Sequence, residues 1–131
     1  MIYVDTSVVL ATLLSEDRAA PPTFWQQPLV SSRLLAVESW VRVHGKRLAR
    51  SHGELLGTLL GRVALVELDP RVLVRTNEPF PSAVRTLDAI HLATVHYLQA
   101  QGQPLQLATF DERMAVVAKQ MKMPMFDFAD A

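Results

Sequence analysis

Short apolar runs of strand length alternate with segments of helical periodicity, and this alternation constrains the fold more than any other feature of the sequence. Strands are predicted in five places: 1–4, 28–32, 63–68, 105–110 and, as a last edge strand, 125–128. Helices are predicted between them: 7–15, a short piece from Pro21, 33–50, 53–62, one from Asp69 and Pro70, 86–101 and 112–122. Parallel strands need long, usually helical connections. We therefore expect an α/β fold with a central, mostly parallel sheet and helices on both faces.

The size and composition of the chain fit one globular domain. At 131 residues it suits a single hydrophobic core, so we expect one domain over 1–131. The absence of cysteine excludes disulfides, thiolate metal sites and cysteine nucleophiles. The first residues, MIYVD, lack the basic region of a signal peptide, and no apolar run reaches the ~18 residues of a membrane span. We expect a cytoplasmic protein with no membrane contact.

Two aspartates stand where predicted strands end. Asp5 follows the first strand and Asp111 follows the strand at 105–110. Open α/β sheets bind their ligands beyond the carboxyl ends of the strands, so both positions indicate a functional site. Each aspartate taken alone is explained equally well as the N-cap of the next helix, and Thr6 or Ser7 would serve the first helix in the same way.

Two further acids lie on apolar faces of predicted helices. Glu38 falls on the face that carries Leu34, Leu35, Val37, Val41 and Leu48. Asp88 lies among the leucine, isoleucine and valine residues of its own helix. Burying even an uncharged polar group without a partner costs ~2–7 kcal/mol, so both acids need an explanation. Glu38 could be half exposed at the edge of its stripe, and Asp88 could be favoured by the helix dipole.

Four carboxylates at one edge of a sheet would repel each other, and a bound divalent cation would relieve that repulsion. Mg²⁺ and Mn²⁺ prefer oxygen ligands, and magnesium sites usually include phosphate oxygens. The histidines offer no competing zinc site, since His91 and His96 are five residues apart. We interpret His91, three residues after Asp88, as a packed histidine, although it could also be a neighbour of that acid. The pattern favours phosphate chemistry assisted by Mg²⁺ or Mn²⁺.

The four acids stand in stretches that resemble the motifs of PIN-domain ribonucleases, in particular the VapC-type toxins of bacterial and archaeal toxin–antitoxin pairs. In chain order the motifs supply Asp5, Thr6 and Ser7 (IYVDTSVVL), Glu38 (AVESWVRV), Asp88 (LDAIHLATVHYL), and Thr109 and Asp111 (LATFDERMAVVA). The resemblance covers nearly the whole chain, and LDAIHLATVHYL is its most specific stretch.

The resemblance implies a fold, an activity and partners. The fold would be a single PIN domain, a three-layer α/β/α sandwich around a central parallel sheet of four or five strands. The activity would be that of an endoribonuclease dependent on Mg²⁺ or Mn²⁺. Its catalytic and metal-binding residues would be Asp5, Glu38, Asp88 and Asp111, with Thr6, Ser7 and Thr109 orienting carboxylates or a phosphate. The partners would be an RNA substrate, a second copy of the chain in a homodimer, and an antitoxin whose tail covers the acidic site.

A basic segment, 42–52, is a candidate RNA contact. Arg42, Lys46 and Arg50 recur every four residues, so on the predicted helix 33–50 they would share one face. A solvated helix face is an equally good interpretation. A second candidate set follows later in the chain: Arg113, Lys119 and Lys122. Thirteen basic and thirteen acidic residues give zero net charge, which argues against binding nucleic acid by bulk charge.

Other functions fit parts of the pattern. A PIN nuclease of RNA processing, outside any toxin–antitoxin pair, would carry the same acids. A catalytically idle PIN domain that binds a partner would keep the fold, but retention of all four acids argues against it. Aspartyl-phosphate phosphatases also place an acid after the first strand. They need a second aspartate two residues later, where this chain has Ser7.

Overall fold

The computed structural model describes residues 1–130, which form four strands, six α-helices and two short 3₁₀ helices. In chain order the strands and α-helices are β1 (Ile2–Val4), α1 (Thr6–Leu13), β2 (Leu29–Ser32), α2 (Arg33–Gly45), α3 (Ala49–Leu60), β3 (Val63–Val66), α4 (Pro70–Arg75), α5 (Thr86–Ala100), β4 (Gln106–Ala108) and α6 (Glu112–Gln120). The 3₁₀ helices are Phe24–Gln26 and Phe128–Asp130.

The four strands form one sheet in the order β3-β2-β1-β4, and every neighbouring pair is parallel. Ile2 in β1 pairs with Leu29 on one side and with Gln106 on the other, so β1 is a central strand. Because all strands run the same way, their carboxyl ends meet at one edge, which we call the carboxyl edge. The predicted α/β class and parallel sheet are confirmed.

Apolar residues cover both faces of the sheet, because successive side chains of a strand point to opposite sides. Ile2 and Val4 belong to a core cluster with residues of α1, α2 and α3. Tyr3, between them, points into a second cluster with residues of α5 and α6. A sheet buried on both faces explains why β1 reads as a continuous apolar run. The result is the expected three-layer α/β/α sandwich.

The predicted helix 33–50 is wrong, since two helices occupy this part of the chain. The first ends at Gly45, and Arg47 then adopts a left-handed conformation with φ 58°. The Leu48 N–H donates to the carbonyl of Val43, which closes a Schellman motif. The next helix begins at Ala49, four residues before the predicted start. The sequence does not indicate the end of this helix, because Arg47 occupies the left-handed position after the C-cap that glycine usually takes.

The inward stripe predicted for α2 is also only partly correct. Leu34 and Leu35 are buried, but Val37 and Val41 are 52% and 66% exposed. The buried line instead continues through Ser39 and Val43. Glu38 therefore lies beside this line, with its side chain 20% exposed.

The predicted edge strand at 125–128 is absent. Met125 forms a single bridge to Leu107, and Phe128 begins a 3₁₀ helix. The carboxylate of Asp127 accepts the N–H of Ala129, and this turn ends the extended conformation.

Candidate active site

The four sequence-predicted acids converge on one cavity at the carboxyl edge, with a volume of about 500 Å³. Asp5 follows β1 and Asp111 lies just beyond β4, its neighbour in the sheet. Glu38 lies in the second turn of α2, which begins directly after β2. Asp88 lies in the first turn of α5, on the other face of the sheet. Each acid is thus delivered by a different element.

Two hydroxyl groups hold one carboxylate oxygen of Asp5. Ser7 Oγ donates to Asp5 Oδ2 at 2.7 Å, and Thr109 Oγ1 donates to the same oxygen at 2.8 Å. These hydroxyls are fixed in turn by the N–H groups of Phe110 and Asp111. Within residues 1–130, Oδ1 of Asp5 has no hydrogen-bond partner. The side chain is therefore oriented with one oxygen free.

Thr6 and Ser7 do not cap α1, contrary to one predicted role. Thr6 is the first residue of the helix, and Asp5 stands at the N-cap position without a side-chain capping bond. Their hydroxyls instead donate to the carboxylates of Glu38 and Asp5.

Glu38 is held by a buried histidine that links it to the sheet. His91 is fully buried, and its Nε2 lies 2.6 Å from Glu38 Oε1. Its Nδ1 lies 2.8 Å from the hydroxyl of Tyr3. Burial raises the pKa of Tyr3 above its ordinary value. An ionised carboxylate only accepts hydrogen bonds, so in neutral histidine Nε2–H donates to Glu38 and Nδ1 accepts from the Tyr3 hydroxyl.

Thr6 Oγ1 donates to the same Glu38 oxygen at 2.9 Å. Both donors therefore converge on Oε1, and Oε2 has no protein partner among the described residues. The interpretation of His91 as a packed histidine was correct about its burial and missed its bond to Glu38. The sequence feature that indicated a role for His91 near the acids was its position one helical turn after Asp88.

Arg85 lies between the other two acids. Its Nε is 3.8 Å from Asp88 Oδ2, and its Nη2 is 3.8 Å from Asp111 Oδ2. The other oxygen of Asp111 caps α6 by accepting the N–H groups of Arg113 and Met114. The capping role considered for Asp111 is therefore present, and it leaves Oδ2 facing Arg85.

The comparisons with known proteins agree with this geometry. A family model described as a PIN domain matches residues 2–120. The chain belongs to the PIN-domain family. It is also 34% identical to "Ribonuclease VapC46" of Mycobacterium tuberculosis (strain ATCC 25618 / H37Rv) over 127 residues, which cover 93% of each chain. The resemblance seen in the sequence motifs is thus confirmed at the level of the family.

The donor chemistry of this PIN domain fits a hard divalent cation. Asp5 and Glu38 line the same cavity, and each has one oxygen without a hydrogen-bond partner among the described residues; Asp88 and Asp111 complete an all-oxygen set. In the described part of the chain, no three His, Asp or Glu side chains stand close enough to form a ready metal cluster. Magnesium commonly takes one or two carboxylates and fills its remaining positions with water and phosphate oxygens, so such a cluster is not required.

The charges in the cavity affect Asp88 most clearly. Burial raises its pKa above the ordinary aspartate value, and the negative charges of Asp5 and Asp111 raise it further. The guanidinium of Arg85 and, to a lesser extent, the nearby His91 act in the opposite direction. Folding therefore disfavours the charged form of Asp88.

We expect Asp88→Asn to stabilise the metal-free protein at pH 7. The folded state binds the proton of Asp88 more tightly than the unfolded chain, so wild-type stability falls as pH rises above ~3.9. Asparagine does not ionise, so the variant does not lose stability in this way. Its advantage over wild type should vanish below pH ~3.9. Urea unfolding from pH 3 to 8 measures it. Saturating Mg²⁺ should reduce or reverse the advantage, because wild type keeps the ligand.

Asp69→Asn is the matched control for this experiment. Arg71 lowers the pKa of Asp69 to about 2, so its charged form is favoured on folding. The substitution should therefore destabilise the protein at pH 7. Equal shifts in both variants would contradict the assignment of repulsion to Asp88.

The basic residues are arranged differently from the prediction. Arg42 lines the acidic cavity, but Lys46 caps the end of α2 and Arg50 lies in α3, so the three share no helix face. Two arginines that the motifs did not indicate, Arg18 and Arg85, also line the cavity. Positive charge therefore surrounds the acids at the cavity itself. The alternative set is on or just after α6: Arg113, Lys119 and Lys122.

Proposed function

We propose that this PIN domain is an endoribonuclease that hydrolyses RNA phosphodiester bonds with Mg²⁺ or Mn²⁺, and that it is the toxin of a VapBC-type toxin–antitoxin pair. The observation that carries the proposal is the cavity in which Asp5, Glu38, Asp88 and Asp111 meet. The name of the mycobacterial relative supports ribonuclease activity and the VapC type.

In this mechanism the acids hold the cation and the arginines hold the substrate. Asp5 Oδ1 and Glu38 Oε2 would bind the cation, with Asp88 and Asp111 as further ligands. When bound, the cation lowers the pKa of a water and neutralises charge on the phosphate. Ser7, Thr109 and Thr6 keep the carboxylates oriented through the hydrogen bonds described above. Arg18, Arg42 and Arg85 attract the RNA backbone to the cavity.

The proposal includes protein partners. A VapC-type toxin would have a cognate antitoxin, and we further propose a homodimer in the cytoplasm. Exposed apolar side chains support a protein interface: Val37 and Val41 on α2 and Leu55 on α3. No helix within residues 1–130 is long and apolar enough to cross a membrane.

We expect the purified protein to cleave RNA only in the presence of a divalent cation. The substrates are a tRNA pool and ribosomal RNA, incubated with Mg²⁺, Mn²⁺ or EDTA and separated on a denaturing gel. Cleavage should appear with either metal, disappear with EDTA and return when metal is added in excess. Cleavage that persists in EDTA would exclude the proposed mechanism. Without RNA, Mn²⁺ should raise the melting temperature, which tests metal binding separately.

A further inference from the structure

A second groove of about 540 Å³ opens beside the acidic cavity. Phe110, Phe126 and Phe128 line it, together with Arg18 and Asp127, and we call it the aromatic groove. Arg18 and Phe110 also line the acidic cavity, so the two spaces share a wall. The aromatic groove is therefore within reach of a nucleotide whose phosphate lies in the acidic cavity.

The three rings of the aromatic groove form one packed unit. Phe110 and Phe128 have their centroids 4.5 Å apart, and Phe126 meets Phe128 at 5.1 Å. Phe126 and Phe128 also pack on the fully buried Phe24, at 5.4 and 5.3 Å. The rings are thus anchored to the core, so ligand binding needs little ordering of these side chains.

Polar groups border the rings on two sides. The guanidinium of Arg18 lies 5.3 Å from the centroid of Phe110, as in a cation–π contact. Asp127 Oδ1 accepts the N–H of Ala129, and its other oxygen can accept a hydrogen bond from a ligand. A planar ligand with N–H donors matches this combination of aromatic faces, a cation and an acceptor.

We propose that the aromatic groove binds one unpaired nucleobase of the RNA, next to the phosphate in the acidic cavity; this inference rests on the proposed ribonuclease function. A nucleobase has the flat π face that aromatic side chains stack on, and such stacking tolerates any base. Bases in a duplex are already stacked on each other, so the groove favours single-stranded RNA.

The test compares two RNAs that differ only in their bases. A fluorescein-labelled hexamer of uridine and an abasic ribose-phosphate hexamer of the same length are titrated with the full chain. Ca²⁺ replaces Mg²⁺ to prevent cleavage, and fluorescence anisotropy gives each Kd. We expect the uridine hexamer to bind about 10-fold more tightly than the abasic hexamer, a difference in binding free energy of ~1.4 kcal/mol. Equal affinities for the two RNAs would overturn the inference and would favour a protein partner as the occupant of the groove.

Substitutions test whether the difference in affinity between the two RNAs arises in the aromatic groove. Phe128→Leu should bring the ratio of the two affinities towards one. Phe110→Leu, which touches neither Phe24 nor Phe126 in this ring cluster, gives the same test if Phe128→Leu does not fold. Val116→Ala, at an exposed position of α6 outside the groove, should keep the ratio. An unchanged ratio in both leucine variants would overturn the inference. Failure of wild type to bind either RNA would overturn the proposed function as well.

Discussion

Asp5→Asn is expected to lower the rate of RNA cleavage in Mg²⁺ by at least about 100-fold and to leave the fold intact. Asp5 is 4% exposed and lines the cavity; Ser7 and Thr109 hold its Oδ2, which leaves Oδ1 as the oxygen available to a cation. Asparagine can keep an oxygen toward the two hydroxyls, so their hydrogen bonds remain. Its NH₂ group then faces the cavity, and an amide nitrogen neither binds a hard cation nor supplies charge.

The measurement of Asp5→Asn combines cleavage with metal binding. The initial rate on the same tRNA pool gives the loss of activity, and a Mn²⁺ titration should show weaker binding. Glu54→Gln, an exposed acid of α3 outside the cavity, is the control for removing one negative charge. Wild-type cleavage by Asp5→Asn with an unchanged melting temperature would show that the activity arises elsewhere or from a contaminating nuclease.

The convergence of the acids was predictable because it follows from the direction of the strands. Once the sheet is parallel, residues after β1 and β4 must meet at one edge, and this places Asp5 beside Asp111. The positions of Glu38 and Asp88 followed in the same way from helices that begin at that edge. These are consequences of chain direction and helical period, which local sequence encodes well.

The contacts between these elements were less predictable. His91 bonds to Glu38 across 53 positions and to Tyr3 across 88, and no local pattern reports such a pair. The break at Arg47 depends on a left-handed arginine whose cost is offset by the Schellman hydrogen bond. Arg85, the N-cap residue of α5, lies near Asp88 by local spacing, but its approach to Asp111 is a long-range contact. Tertiary packing decides the contacts of His91 and the approach of Arg85 to Asp111, whereas the break at Arg47 is a local turn that an unusual residue occupies.

Three substitutions of His91 should separate its effect on stability from its effect on Glu38. His91→Leu removes the partner of the buried Tyr3 hydroxyl, so we expect the free energy of unfolding to fall by about 1–3 kcal/mol. His91→Gln places an amide near the position of Nε2 and can still donate to Glu38. His91→Asn reaches only the position of Nδ1, so it can serve Tyr3 but not Glu38.

The decisive comparison is between His91→Gln and His91→Asn. Without the donor from Nε2, Thr6 is the remaining donor to Glu38 among the described residues, and the orientation of the carboxylate is less well fixed. Loss of such an orienting group weakens metal binding or activity by about 10–100-fold. We therefore expect weaker Mn²⁺ binding and slower cleavage in His91→Asn, with substantial recovery in His91→Gln. Urea unfolding measures stability in parallel. Equal Mn²⁺ affinities in these two variants would mean that His91 only stabilises the core, because orientation of Glu38 is the interaction that distinguishes them.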